Sequence, residues 1–182
     1  MIQGSNASLT SAQQKLLLSW EEHTRCEFET HDVEGTMATM ANDAHLINVP
    51  VMTGGVGLAE IREFYGQYFI PQLPADTETT LISRTIGNTQ IVDELIFKFT
   101  HNIKMDWMLP GVAPTNKRVE IALVVIIAFN DDKVAHEHIY WDQASVLAQI
   151  GLIDIKSLPI TGIESAEKIA NPQSHASNKL IK

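Results

Sequence analysis

A single cysteine, few basic residues and no long apolar run are the first features of this chain, and each excludes a class of function. Cys26 has no partner for an internal disulfide, which agrees with a reducing compartment. It falls on an expected helix, where an inert packed thiol is a better reading than a nucleophile. Thirteen Lys and Arg stand against 22 Asp and Glu, a net charge of -9. Phosphate binding needs clustered basic residues, and here they are scattered, so nucleic acid and anionic membrane surfaces are not expected partners. The longest apolar run, Ile121 to Phe129, is nine residues, against the ~20 that a membrane-spanning helix needs. Met1 to Thr10 has neither a basic start nor an apolar stretch, so no secretory signal is expected and a cytoplasmic location is. A Gly-x-Ser-x-Gly elbow is missing, and Gly54-Gly55-Val56-Gly57 reads as a turn and helix start rather than a phosphate loop.

What is present fits one globular domain. The chain has 182 residues, 45% of them hydrophobic and 19% charged, enough to bury a core without disulfides. A first helix is expected from Thr10 or Ser11, with Gln13 or Gln14 completing a capping box. Leu16, Leu17, Trp20, Thr24 and Phe28 form its inward stripe. Asp32 caps a short second helix carrying Val33, Met37 and Met40, and a strand follows over Ala44 to Val49. A third helix places Leu58, Ile61, Phe64, Tyr65, Tyr68 and Phe69 on one face and ends before Pro71. Long β runs then cover Thr77 to Gly87, Gln90 to Met105, Arg118 to Phe129 and Lys133 to Trp141, with a hairpin turn at Asn130-Asp131-Asp132. A short helix, Gln143 to Ile150, is stopped by Gly151.

Helices followed by a block of strands give an α+β domain in which a twisted antiparallel sheet curls around the N-terminal helices into a cone. Residues 1–157 make this domain, and the Pro- and Ser-containing stretch 158–182 is expected to be an arm, not a separate domain. It would lie across the pocket or against a second subunit.

Alternation along the strands sorts the polar residues by face. Phe97, Phe99, His101, Ile103 and Met105 share an apolar face, so His101 points inward. In the last strand His136, His138, Tyr140 and Asp142 share one face and Glu137, Ile139 and Trp141 the other, and both sets are amphipathic. In the first strand His45, Ile47 and Val49 alternate with Ala44, Leu46 and Asn48, again leaving two inward sets. An inward histidine is as often a satisfied core residue as a functional one. An inward carboxylate needs a partner or a role, because burying its charge costs several kcal/mol. Trp20 and His23 on the first helix could line a pocket, though a stripe with one Trp is more often plain core.

Thr100-His101, Leu109-Pro110-Gly111 and Ala113-Pro114-Thr115-Asn116-Lys117-Arg118-Val119-Glu120 together resemble the SnoaL-like family, in which a Gly-x-x-Pro-Thr-Gly-Lys loop joins two long strands. Asn116 replaces the usual glycine, which an αL-tolerant Asn can do. The ending from Lys133 to Asp142, then Leu147-Ala148-Gln149-Ile150-Gly151, resembles the family's strand, aspartate, short helix and Gln-Leu-Gly. The resemblance implies the nuclear transport factor 2-like, cystatin-like α+β barrel with a mostly apolar pocket for a small molecule. It implies that Asp142 is the acid/base, with His138 and Tyr140 inward beside it. Met105-Asp106-Trp107-Met108-Leu109 departs from the cyclases, which carry a His- or Glu-containing strand there.

The leading expectation is cofactor-independent lyase, isomerase or cyclase chemistry. Asp142 moves the proton, His101 or His138 stabilises an oxyanion, and Tyr140, His45, Trp20, Met105 and Trp107 contact the substrate. A second reading keeps the same pocket as a non-catalytic binding site. A third, in which His45, His101 and His138 hold a metal beside Asp142, has no support from spacing, so neither metal nor cofactor is expected. A homodimer is expected, because the convex sheet face needs covering and the strand Ile121 to Phe129 is apolar on both sides.

Overall fold

The computed structural model describes residues 9–181; most of the N-terminal stretch considered for a signal lies outside them. Helix α1 (Ser11–Phe28) starts on a capping box: Thr10 accepts from the Gln13 backbone N–H, and the Gln13 side chain reaches back to the Thr10 N–H. Its buried face is Leu16, Trp20, His23, Cys26 and Glu27. Helix α2 (Val33–Ala38) is capped by Asp32, and the chain turns at once into β1 (Met40–Asn48), so Met40 belongs to the strand.

Thr53–Val56, read from sequence as a turn, is a short strand, β2, paired antiparallel with β1. Gly54 makes this pairing possible. It sits at φ 135, and a Cβ there would lie 2.0 Å from the Leu46 carbonyl oxygen.

Helix α3 (Gly57–Glu63) passes into a π-helical turn, Phe64–Phe69, and a 3-10 turn, Ile70–Gln72, that accommodates Pro71. The wider π-turn directs Phe64, Tyr65 and Phe69 all into the interior.

Strands β3 (Glu78–Ile86), β4 (Gln90–Thr100), β5 (Arg118–Asn130) and β6 (Lys133–Trp141) complete a curved six-stranded sheet of order β2-β1-β6-β5-β4-β3. The sheet is mixed rather than wholly antiparallel, because β1 runs parallel to β6. The fourth strand stops at Thr100 instead of continuing to Met105. There the His101 carbonyl accepts from both Thr115 and Asn116 N–H, and the chain leaves the ladder. The following loop folds inward as a plug, with Met105, Trp107, Met108 and Leu109 all buried. Thr53 Oγ1 donates to the Trp107 carbonyl at 2.6 Å, and Gln143 Nε2 donates to the Met108 carbonyl at 3.0 Å.

Register fixes the faces. Ile127, Val125 and Leu123 of β5, all buried, stand opposite Glu137, Ile139 and Trp141 of β6. These residues therefore face the helices, and His136, His138 and Tyr140 face outward. Helix α4 (Gln143–Gln149) follows β6, with Gly151 at φ 81 just past its end. Beyond α4, α5 (Glu164–Ala170) lies on the outer face near Ile96, Lys98 and Glu120, with Ala166 buried, and does not cross the concave side. No helix among the described residues is long and apolar enough to cross a membrane.

Candidate active site

The concave face and the helices enclose a cavity of about 160 Å³. Its walls are mostly apolar: Phe28, Leu46, Phe64, Phe69, Leu95, Phe97, Leu123, Val125 and Ile139. A volume near ~150 Å³ is that of a cavity that holds benzene, so the space suits a molecule of one ring. The lining residues Thr79 and Leu81 on edge strand β3 are exposed, which locates the mouth between β3 and α1.

Against these walls sits a buried polar cluster. His23 of α1 lies with Nε2 3.2 Å from Glu27 Oε1, one helical turn on, and 3.2 Å from Glu137 Oε1 of β6. Tyr65, from the π-turn, donates its hydroxyl to Glu137 Oε1 at 3.2 Å and is 3.1 Å from His23 Nε2. On the other side of the ring, Nδ1 is 2.6 Å from Thr39 Oγ1. Thr39 Oγ1 donates its proton to the Thr36 carbonyl, so it accepts from a protonated Nδ1. Glu27, Tyr65 and Glu137 line the cavity, and His23 lies behind them.

Electrostatics follow from burial and proximity. Burial opposes a charge on His23, but the Glu137 and Glu27 carboxylates outweigh it and push its pKa up from 6.5 to about 10. Burial raises Glu27, partly countered by His23 and reinforced by Glu137. Burial, with both carboxylates beside it, holds the Tyr65 hydroxyl well above the usual phenol range, so it remains a donor. The imidazolium therefore bridges two acidic groups, one of which binds a proton unusually well.

A second polar group closes the cavity near its mouth. Asp93 of β4 accepts from Arg84 Nε at 2.6 Å, Arg84 Nη2 at 2.7 Å and Trp20 Nε1 at 2.8 Å. Two lining residues each carry a buried polar atom with no partner among the described residues: Trp107 Nε1 and Asn48 Oδ1. The Asn48 amide is oriented by its neighbours. Thr53 gives its only proton to the Trp107 carbonyl, so its oxygen must accept from Asn48 Nδ2 at 3.1 Å, which leaves Oδ1 free.

A model of the SnoaL-like domain matches residues 20–137, well over half the chain. The chain belongs to the SnoaL-like domain family. No curated protein matches it in sequence. Among solved structures, a SnoaL-like protein from Jannaschia sp. CCS1 assigned as a polyketide cyclase is 14% identical, with a TM-score of 0.65 over 82% of this chain and 100% of that one. TsrD from Streptomyces laurentii is 17% identical, with a TM-score of 0.60 over 80% and 100%. A protein with a ketosteroid isomerase-like fold from Catenulispora acidiphila DSM 44928, in complex with trimethylamine, is 12% identical, with a TM-score of 0.56 over 76% and 93%. At these identities the likeness establishes the fold: nuclear transport factor 2-like, with the cone expected from the family's motifs.

Placement of the expected SnoaL-like site residues is mixed. Trp20 and Trp107 line the cavity. Met105 is fully buried but packs in the plug away from the lining. His101 is buried, yet it anchors the loop instead of facing the cavity: Nδ1 is 3.2 Å from Thr115 Oγ1, and burial lowers its pKa. The inward orientation expected for Asp142, His138, Tyr140 and His45 is corrected. Asp142 is exposed and caps α4, accepting from Ala144 and Ser145 N–H. Tyr140 and His138 point outward because the register with β5 gives the inner face to Glu137 and Ile139. His45 follows, being paired with His136 while Ala44, Leu46 and Asn48 turn inward.

Glu27, Tyr65 and Glu137 were not among the expected site residues. A signal for the first was present: Leu16, Trp20, His23 and Glu27 repeat at spacings of four, three and four along α1, the seam that is buried.

Proposed function

We propose that this SnoaL-like protein binds a small, largely apolar molecule of about one ring in its cavity and catalyses cofactor-independent proton transfer on it, as a lyase, isomerase or cyclase. The observation that carries this reading is the pair of buried carboxyl groups, Glu27 and Glu137, both 3.2 Å from one imidazole and both on the wall of an apolar cavity. Glu137 is the base. Its Oε1 is held by Tyr65 and His23, while Oε2 makes no hydrogen bond among the described residues and is free to take a proton from a carbon next to a carbonyl. Glu27, raised by burial, is the acid that returns a proton to another atom of the same molecule. For an isomerase the net change in the substrate is a relocated proton; the proton left on Glu137 then returns to Glu27, which resets the pair, and no electron donor is required.

At the plug end, Trp107 Nε1 donates to a ligand oxygen and Asn48 Oδ1 accepts from a ligand hydroxyl or N–H, which satisfies both orphaned groups. The supported ligand is therefore a one-ring compound with a carbonyl and an adjacent donor. The cavity is too small for a fused polycyclic substrate unless the plug withdraws.

The test is α-proton exchange. Cyclic ketones and hydroxyketones of one ring are incubated with the protein in D2O and followed by proton NMR. Deuterium uptake that depends on the protein and is lost in Glu137→Gln is the expected result. Ligand binding, seen as a rise in Tm, without exchange in any compound supports the second reading, a non-catalytic binding protein. That reading is favoured by one observation: His23 is already satisfied by two carboxylates, as in a closed structural ion network. The same proposal includes a homodimer through the outer sheet face, where Val56 is 70% and Tyr140 41% exposed. It also includes a cytoplasmic location, consistent with the lone Cys26, and residues 158–182 as an arm of a single domain.

A further inference from the structure

On the outer face of the sheet, away from the cavity, three histidines meet. His45 of β1 and His136 of β6 are paired in register, and His138 lies two residues further along the same face. The rings of His136 and His138 stack with centroids 4.3 Å apart, and His45 lies 5.1 Å from each. His45 Nε2 and His138 Nε2 are 3.0 Å apart, and one ring nitrogen from each of the three falls within 4.8 Å of the others.

We propose that His45, His136 and His138 form a binding site for a divalent transition metal such as zinc, with an open fourth position. Geometry supports this first. Two imidazole nitrogens on a tetrahedral ion at the usual zinc–nitrogen length of ~2.0–2.1 Å are separated by about 3.3 Å, close to the 3.0 Å already present between His45 and His138. Small side-chain rotations bring in His136. Chemistry supports it second. The only hydrogen bond within the trio is the one between His45 and His138, and His136 makes none with any described residue, so a structural hydrogen-bond network does not account for the grouping.

The surroundings complete the argument. Ile126 and Ala128 of β5 stand opposite His138 and His136, and Ile47 of β1 is paired with His138. A patch of apolar side chains with three nitrogen donors and no carboxylate ligand in the group favours zinc, copper or nickel over calcium or magnesium, which require oxygen ligands. This departs from the sequence-based expectation of no metal, and it does not rest on the cavity chemistry. An inner group, His23 with Glu27 and Glu137, also brings three ligand atoms together, so the test must separate the two.

Full-length protein stripped with chelator is titrated with zinc chloride by calorimetry at pH 7.5, with cobalt(II) absorption as the second readout. The expected result is one ion per chain with micromolar or tighter affinity, and intense visible cobalt bands of a four-coordinate site. His138→Ala and His45→Ala each weaken binding at least 100-fold while circular dichroism and the urea midpoint stay close to those of the parent. His136→Gln, which retains bulk, does the same. Absence of zinc uptake overturns the proposal. So does uptake that survives all three histidine substitutions and falls instead with Glu27→Gln, which would place the ion in the inner group.

Discussion

Glu137 and His138 are neighbours in the chain and look in opposite directions: Glu137 Oε1 meets His23 3.2 Å away inside the cone, and His138 Nε2 meets His45 3.0 Å away outside it. One strand thus turns a carboxyl group to the cavity and imidazoles to the surface, with the sheet between them. Substitutions at adjacent positions therefore separate into two sets of effects.

The inner set makes stability depend on pH. His23 has a folded pKa raised from 6.5 to about 10, so its stabilising contribution is complete below the unfolded value of 6.5 and is lost as pH rises towards 10. Glu27 is also raised, and its contribution likewise declines as pH rises above 4.5. The unfolding free energy from urea titration, and with it the midpoint, should therefore be highest in mild acid and fall on the alkaline side, the free energy by an amount on the order of a few kcal/mol between pH 6.5 and 10. In the double variant His23→Gln/Glu27→Gln, which removes both raised groups, that slope should be largely flattened. A parent protein whose midpoint is constant across this window would show that His23 is not held as a cation.

Two tryptophans at the cavity should respond differently to the same change. Trp20→Phe removes a hydrogen bond to Asp93, a charged acceptor, a loss of about 1.5–3 kcal/mol in addition to lost packing. Trp107→Phe removes an N–H that has no partner among the described residues, so only packing is lost. Urea unfolding of the two variants should place Trp20→Phe below Trp107→Phe, whereas ligand affinity should show the reverse order of damage.

Asp142 should act on stability alone. Asp142→Ala deletes the cap that accepts from Ala144 and Ser145, at a cost of about 1 kcal/mol, and leaves the cavity ligand affinity and any proton exchange unchanged. Loss of exchange in this variant with an unchanged urea midpoint would restore Asp142 to the chemistry and remove the case for Glu137.

Much of the cone was legible because its signals are local. The Thr10 and Gln13 capping box, the Asp32 cap, the turn at Asn130-Asp131-Asp132 and the αL stop at Gly151 are each set by residues within a few positions of one another. The facing of β6 was not, because it depends on partners far away. Both of its alternating sets are amphipathic, and pairing with β5 and β1 decides between them. A bulge also intervenes: the register shifts between Ala128 and Phe129, so Ala135 is extra and the alternation begins afresh at His136. Glu27 escaped notice because a charged residue near a helix end ordinarily faces water. Only the proximity of His23 and the distant Glu137 makes its burial tolerable. Strand β4 ended early because the His101 carbonyl is taken by Thr115 and Asn116, an interaction across a long loop.

That loop has a consequence for what the cone admits. Its inner end is a stopper hung from Thr53 and Gln143 by contacts to main-chain carbonyls, independent of the strand ladder. A smaller residue in place of Trp107 would deepen the hollow without disturbing the barrel wall, so this one position limits the length of guest that the cone can take.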